Sequence, residues 1–446
     1  MLPSTFTQRS HRFRAGCVVV CALIGLASCA ANDATGSRSN RPIVTVFGTL
    51  SDSEADAFTA SVQPFERSSG INVRYVGSSN FEADLLERLR RGDAPDMALL
   101  PQPGLLPTLV SEGFALPWTA ALKASATEHI DPRLVGLSTI ENQVYASWYE
   151  LTLKSLVWYS PREFARLGLT VPQTWSDLDA LVAKVVAAGV SPWCLGIRDG
   201  GATGWVATDW VEDLVLRFAG PDVYDRWITH EVAFSDRTIA NAVQRFGDIA
   251  LSNTLVYGGS RAAVRNTVTD AARQLISSPS KCVLNRQASF LPRLVGSRTA
   301  VGPAADLWAF PLPSADGAKA PLIVGGTMSV RFSADPNVDQ LAAYLASAEV
   351  ARERAKLGSF VSPLTTVPLD AYSSELDRSV AGWLLDADVL RFDASDLMPP
   401  SVGVAAFWSG MAAWLGGARL SAVLNEIDRA WPATSNSIPG QVTVKS

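Results

Sequence analysis

From Pro42 onward the chain alternates short β-branched or apolar runs with amphipathic segments, and this alternation limits the fold more than any other feature of it. Residues 43–47 (IVTVF) read as a strand, residues 52–68 place Ala55, Phe58, Val62 and Phe65 near helical spacing, and residues 71–75 (INVRY) return to a strand. The pattern then predicts a helix over 81–91, a buried strand over 96–100 (DMALL) and a further helix over 105–112. Strand–helix–strand succession builds parallel sheets covered by helices, with the ligand beyond the carboxyl ends of the strands. The loops after Phe47, Tyr75 and Leu100 are therefore expected to line a cleft, and they carry Gly48, Ser78, Ser79, Asn80, Phe81 and Gln102.

At 446 residues the chain exceeds the size, roughly 250 to 300 residues, at which one core stops growing. Two lobes are expected, with crossings placed in the aromatic stretch 145–160 (YASWYELTLKSLVWYS), at 322–329 (LIVGGTMS) and at 362–369. One lobe then takes residues 42–150 and 324–368, the other 151–323 and 369–446. The 38 basic and 43 acidic side chains leave a net charge of −5, spread along the chain, which does not suggest nucleic-acid binding. Thirteen tryptophans in a chain with few charges suit an aromatic-lined ligand surface.

Arg9, His11, Arg12 and Arg14 precede an apolar run over 15–27 that is shorter than the ~20 residues needed to cross a bilayer, so residues 1–28 read as a secretory signal. Its end, Leu26-Ala27-Ser28-Cys29, resembles a bacterial lipobox, which implies a lipid on Cys29 and a mature chain that begins there. The polar, small residues before Pro42 (29–41) read as a flexible tether. Cys17 and Cys21 leave with the signal, so Cys194 and Cys282 remain. An oxidising compartment invites a disulfide between them, two buried thiols being the alternative. The three histidines, His11, His129 and His230, show no ligand spacing around either cysteine, and no metal site is expected.

Residues 189–231 (GVSPWCLGIRDGGATGWVATDWVEDLVLRFAGPDVYDRWITHE) closely resemble the solute-binding proteins of α-glucoside ABC importers, a branch of the carbohydrate-binding group that includes the maltose-binding receptor. PFERSSGINVRY (64–75), APDMALLPQPGLL (94–106), LKSLVWYSPREF (153–164), KCVLNRQASFLP (281–292) and RFDASDLMPPSVGVAAFW (391–408) are similar in the same order. The resemblance implies an α/β, type II-like periplasmic-binding-protein fold, each lobe a mostly parallel sheet flanked by helices, with three lobe crossings. It implies no catalysis and no cofactor. A monomer is expected, held by its lipid at the outer face of the cytoplasmic membrane or in the periplasm, that closes on a sugar and delivers it to permease subunits served by a separate ATPase. It also supports pairing of Cys194 with Cys282, which lie inside two of the similar patches. The family usually has an acid after the glycines of the second crossing, where this chain has Thr327.

A pyranose offers an apolar C–H face and a rim of hydroxyls, so its receptor needs flat aromatic rings beside planar polar groups. Trp148 and Tyr149, followed by Glu150, meet this at the first crossing, with core packing as the alternative. Trp205, Asp209 and Trp210 follow the Gly200-Gly201 turn, where Asp209 could equally be a helix cap. Gln102, Asn80 and Phe81 are candidates on the first lobe, and Gly326 at the second crossing. The AFW patch that resembles the maltose-binding group assigns stacking to Trp408. Asp96 reads as structural, and Arg286 as either a hydroxyl contact or a brace. A glycoside hydrolase would need two carboxyls roughly 5 to 10 Å apart across one bond. The chain carries no nucleophile elbow, His-Glu-x-x-His helix, Walker loop or Rossmann glycine triplet.

Overall fold

The computed structural model describes residues 41–315 and 317–432. The expected signal, Cys29 and all of the tether but its last residue lie outside them. Twelve strands are present among these residues: β1 (Ile43–Gly48), β2 (Asn72–Gly77), β3 (Met97–Leu100), β4 (Thr139–Ile140), β5 (Gln143–Val144), β6 (Ala146–Leu153), β7 (Leu156–Tyr159), β8 (Ser191–Trp193), β9 (Cys282–Arg286), β10 (Trp308–Pro311), β11 (Leu322–Arg331) and β12 (Leu390–Phe392). The alternation read at the start of the chain is observed, with helices over Asp52–Ser69, Phe81–Arg90 and Leu106–Ser111 between or after the first three strands.

The first sheet runs β12-β11-β3-β1-β2, with β6 also paired to β11. β1 is parallel to β2 and β3, and β11 is antiparallel to β3 and β6. Asp96 has the structural role expected of it. Its Oδ2 accepts from the Thr45 backbone N (2.7 Å) and hydroxyl (2.8 Å), which pins the start of β3 to β1.

The second sheet runs β10-β7-β9-β8, and here the expectation of a mostly parallel sheet is corrected. β7 is antiparallel to both β10 and β9, and only β8 and β9 run parallel. The cause lies in the connections. β7 carries the chain away from the first sheet and β10 carries it back, so neighbours attached to opposite-going crossings must oppose each other. β12 is a second difference, because residues 369–446 were expected in the second lobe, yet β12 pairs with β11 at the edge of the first sheet.

Behind the second sheet, the helix Trp205–Phe218 is buried all round from Val206 to Arg217, as an interior helix must be. The C-terminal segment packs nearby, with the Phe407 ring 5.6 Å from that of Trp227 and 4.9 Å from that of Phe234. The Cys194–Cys282 disulfide is present, with Cα atoms 5.4 Å apart, tying the residue after β8 to the first residue of β9.

Candidate functional site

β6 belongs to the first sheet and β7, two residues later, to the second, so the chain passes between lobes at Lys154 and Ser155. Side chains on a strand alternate between faces, which sets Glu150, Thr152 and Lys154 on one side of this crossing and Leu151 on the other. The paired strand β11 confirms the division. A Cβ on Gly325 would come within 2.9 Å of Lys154 Cε, whereas one on Gly326 would meet Leu151 Cδ2 and Trp148 Cζ3 at 3.1 Å. Thr327 pairs directly with Glu150 before a bulge shifts the register at Met328.

On the Glu150 and Thr152 side lies a cavity of about 400 Å³. Its other walls come from Phe290 and Arg293 after β9, from Ser359 and Phe360 after the helix Ala348–Leu357, and from Asp377. The Val361 carbonyl accepts from the Leu151 backbone N, so the segment that follows Phe360 runs beside β6. Across the opening, Arg293 is paired with Glu54 on the first helix of the opposite lobe. Burial pushes the Glu150 carboxyl up to about 7, against the pull of Arg354 and with the Asp377 charge adding to the rise. Burial likewise pushes Asp377 up to about 6, opposed by the backbone N–H groups of Phe360 and Ser359.

Phe290 links the cavity to Trp205, whose ring lies 5.9 Å away. The indole is held on two sides: Nε1 donates to Asp199 Oδ2 at 2.8 Å, and Lys154 Nζ sits 6.0 Å from the ring centre. Trp205 remains partly exposed. Gly204 adopts φ +116°, and a Cβ there would strike the Trp408 carbonyl, so only glycine lets these segments meet. Trp408 is also half-buried, and its Nε1 is buried without a hydrogen-bond partner.

Beneath Trp205 the crossing strand is bound into a buried ionic cluster. Lys154 Nζ contacts Asp393, Asp209 Oδ1 (3.3 Å) and Asp396 Oδ2 (3.6 Å). Arg286 donates to Asp209 Oδ2 (2.9 Å) and Asp213 Oδ2 (2.6 Å), and Arg217 is paired with the other Asp213 oxygen. The Glu212 carboxylate accepts from the backbone N–H groups of Ala394 (3.0 Å) and Ser395 (3.2 Å). Burial pushes Asp209 up to about 6 and Asp396 to about 8, in each case against the attraction of Lys154. Three cations face five carboxylates here, and protonation of the raised acids relieves the excess. Arg286, undecided from sequence, is a brace.

Several expected ligand residues are therefore corrected. Trp148 is 1% exposed, donates Nε1 to the Leu134 carbonyl at 2.7 Å and packs on Phe392, while Tyr149 is 2% exposed against Phe58 and Phe360. Trp210 lies in the core between Trp193 and Phe246, and Asp209 is consumed by the ionic cluster. Phe81 is buried and stacked on Phe47 at 5.4 Å, Gly48 is buried beneath the Tyr75 ring, and Gly326 faces away from the cavity. Large side chains on central strands and interior helices have nowhere to go but the core.

Ser78 and Asn80 stay accessible, but both hydrogen-bond Asp84 at the start of the second helix, beside a shallow outer groove lined by Arg88. Gln102 is half-buried in a turn whose Gly104 abuts the carbonyls of Asp396 to Met398, so that turn touches the β12 connection. Thr152, Lys154, Phe290, Arg293 and Asp377 were missed. The signal available for the first two was the period of two along β6, read together with its position between sheets.

Residues 51–352 match the family of bacterial extracellular solute-binding proteins. The chain belongs to that family. The solute-binding protein is 39% identical to the osmoprotective compounds-binding protein GgtB of Synechocystis sp. over 93% of this chain and 98% of the relative. It is 33% identical to the alpha-glucosides-binding periplasmic protein AglE of Rhizobium meliloti over 87% of this chain and 86% of the relative. Among solved structures, the bacterial solute receptor AcbH superposes with a TM-score of 0.73 at 16% identity, covering 87% of this chain and 98% of that one. The maltose-bound MalE3 of T. maritima does so at 0.66 and 17%, covering 87% and 98%. At such identities these two speak to the fold, which is the two-lobed one expected.

Proposed function

We propose that this solute-binding protein is the receptor of an ABC importer, and that it captures an α-glucoside or related oligosaccharide between its lobes for delivery to a membrane permease with a separate ATPase. The observation that carries the reading is the cavity at the crossing, walled by both lobes and by the strand joining them, with Phe290 on its wall and Trp205 packed against Phe290. An aromatic face beside hydroxyl and carboxylate groups suits a pyranose. The relatives support the ligand class, one being named for α-glucosides and another for osmoprotective compounds. A ligand touching both lobes favours the closed arrangement by its differential affinity. In the same reading the receptor is exported, lipid-anchored through Cys29, and works as a monomer.

Titration with maltose, trehalose and sucrose tests this. The expected result is saturable quenching of tryptophan fluorescence and a thermal shift, with the sugar recovered intact. Release of glucose would make the protein a hydrolase, and no response to any sugar would remove the proposal.

A further inference from the structure

Away from the crossings, the two lobes meet where the turn after β3 rests on the short helix Ala394–Leu397. That turn, one helical turn over Pro103–Leu105, belongs to the first lobe, since β3 lies inside the first sheet. The short helix is held by the second. Glu212, on the buried helix Trp205–Phe218, accepts from the backbone N–H groups of Ala394 and Ser395. Just before it, the Phe392 carbonyl accepts from the Tyr224 hydroxyl at 2.9 Å, and Arg391 donates to Asp225 at 2.6 and 3.0 Å, both partners lying on the helix Pro221–Ile228. The pairing of β12 with the first sheet engages only Leu322 to Val324, the end of β11 where the chain arrives from the second lobe.

Space is short at this contact. A Cβ on Gly104 would lie 2.5 Å from the Met398 carbonyl oxygen, 2.9 Å from that of Asp396 and 3.0 Å from that of Leu397, whereas ordinary contact begins at 3.4 Å. Backbone carbonyls at a helix end cannot swing aside as a side chain can. The Gly104 backbone lies outside the left-handed region, so alanine fits the turn itself. The glycine is needed for what faces it, not for its own conformation. Gly403 provides the contrast: it meets the same helix from within the second lobe, where a Cβ would strike the Ser395 carbonyl.

We propose that Gly104 is the seat of lobe closure: its lack of a side chain lets the first-lobe turn settle on the carbonyls of Asp396 to Met398, and this fit sets how long a ligand is retained. The inference rests on the reading of the protein as a sugar receptor. A methyl group at position 104 holds the turn off the helix and raises the free energy of the closed arrangement alone. A ligand that touches both lobes gains its full contacts only there, so its affinity falls with the closed population. Entry happens while the lobes are apart, and the loss therefore shows as faster release. Overpacking a close contact costs enough for at least about a tenfold loss.

The experiment compares the unmodified protein with Gly104→Ala and Gly403→Ala. Calorimetry gives the ligand-free melting temperatures, stopped-flow tryptophan fluorescence the association and release of maltose, trehalose and sucrose, and X-ray scattering the radius of gyration. For Gly104→Ala the expected result is an unchanged ligand-free melting temperature, association within about twofold and release at least about tenfold faster. Gly403→Ala should instead melt lower. A Gly104→Ala protein that melts as low as Gly403→Ala, or does not fold, would put the turn and the helix in one rigid body and overturn the proposal, as would unaltered release. Should the unmodified protein bind none of these sugars, the sugar reading falls and scattering decides this one: a Gly104→Ala radius no larger than the unmodified one overturns it.

Discussion

Replacing Lys154 by methionine keeps the apolar stem and removes the cation at the centre of the buried cluster. Among the described residues it is the only basic side chain paired with Asp393 and Asp396, and it is one of two on Asp209. Breaking a buried ion pair from one side costs about 3–5 kcal/mol. Asp393 keeps donors from the Ser395 hydroxyl (2.7 Å) and the Asp396 backbone N (2.9 Å), which places the expected loss near the lower end, about 3 kcal/mol. A body of about 400 residues unfolds with an entropy of roughly 0.8 kcal/mol per degree, so the melting temperature should fall by about 4 °C. The pH dependence has a definite sign. Asp209 and Asp396 titrate at about 6 and about 8, above the ordinary aspartate range, so the folded protein holds these protons to higher pH than the unfolded chain and loses stability as pH rises from about 4 towards 8. Without Lys154 their ionised forms lose an attraction. The deficit should therefore be smaller at about pH 5, where both are protonated, and largest near pH 8. A part remains at low pH because Asp393, held below its usual range by Lys154 and its hydrogen bonds despite burial, stays charged. Thermal melts of both proteins at about pH 5 and about pH 8 measure this. A shift under about 1 °C at the higher pH, or a larger deficit at the lower, would show that the cluster is not an ionic one.

Trp205→Ala should weaken sugar binding by about 1–3 kcal/mol through loss of an aromatic contact, read by calorimetry, whereas Trp148→Phe should lower the melting temperature and leave affinity alone, because that indole is core and bonded to Leu134. Replacing Cys194 and Cys282 by serine opens a loop of sequence separation 88 and should cost about 4–5 kcal/mol in a denaturant titration. Gly325→Ala puts a methyl 2.9 Å from Lys154 Cε; the lysine must shift, and a loss of about 1 kcal/mol is expected, reduced when Lys154 is already methionine, as a double-mutant cycle will show.

The alternation of strand and helix was legible because it is local: β-branched runs and helical spacing are properties of consecutive residues, and the first three strands lie where IVTVF, INVRY and DMALL predict them. The direction of β7 and β10 was not, since it depends on which way the crossings carry the chain. Tryptophans were read as ligand surface because an indole suits both a sugar face and a core, and nothing in WYE or TDW separates Trp148 and Trp210, which are enclosed, from Trp205, which is not. Enclosure is decided by neighbours such as Phe246 and Phe392, distant in sequence. Thr152 and Lys154 escaped for the opposite reason, being polar residues in an apolar run, and the partners of Lys154 come from residues 209 and 393.

One strand thus does two mechanical jobs. β6 is paired along β11 from Ala146 to Leu153, which makes it part of the first sheet, and one residue later Lys154 is clamped to Asp209, on the helix behind the second sheet, and to Asp393, which follows β12. On this strand the joint between the sheets falls at Ser155, whose hydroxyl donates to Asp213 at 2.6 Å and whose Oγ also accepts from the Ile323 backbone N at 2.8 Å. The side chains of Glu150 and Thr152 ride on the near side of that joint, and Phe290 with Trp205 on the far side. A molecule held by both sets fixes the angle between them, so occupancy of the cavity and the relative setting of the lobes are linked through the same short run of backbone.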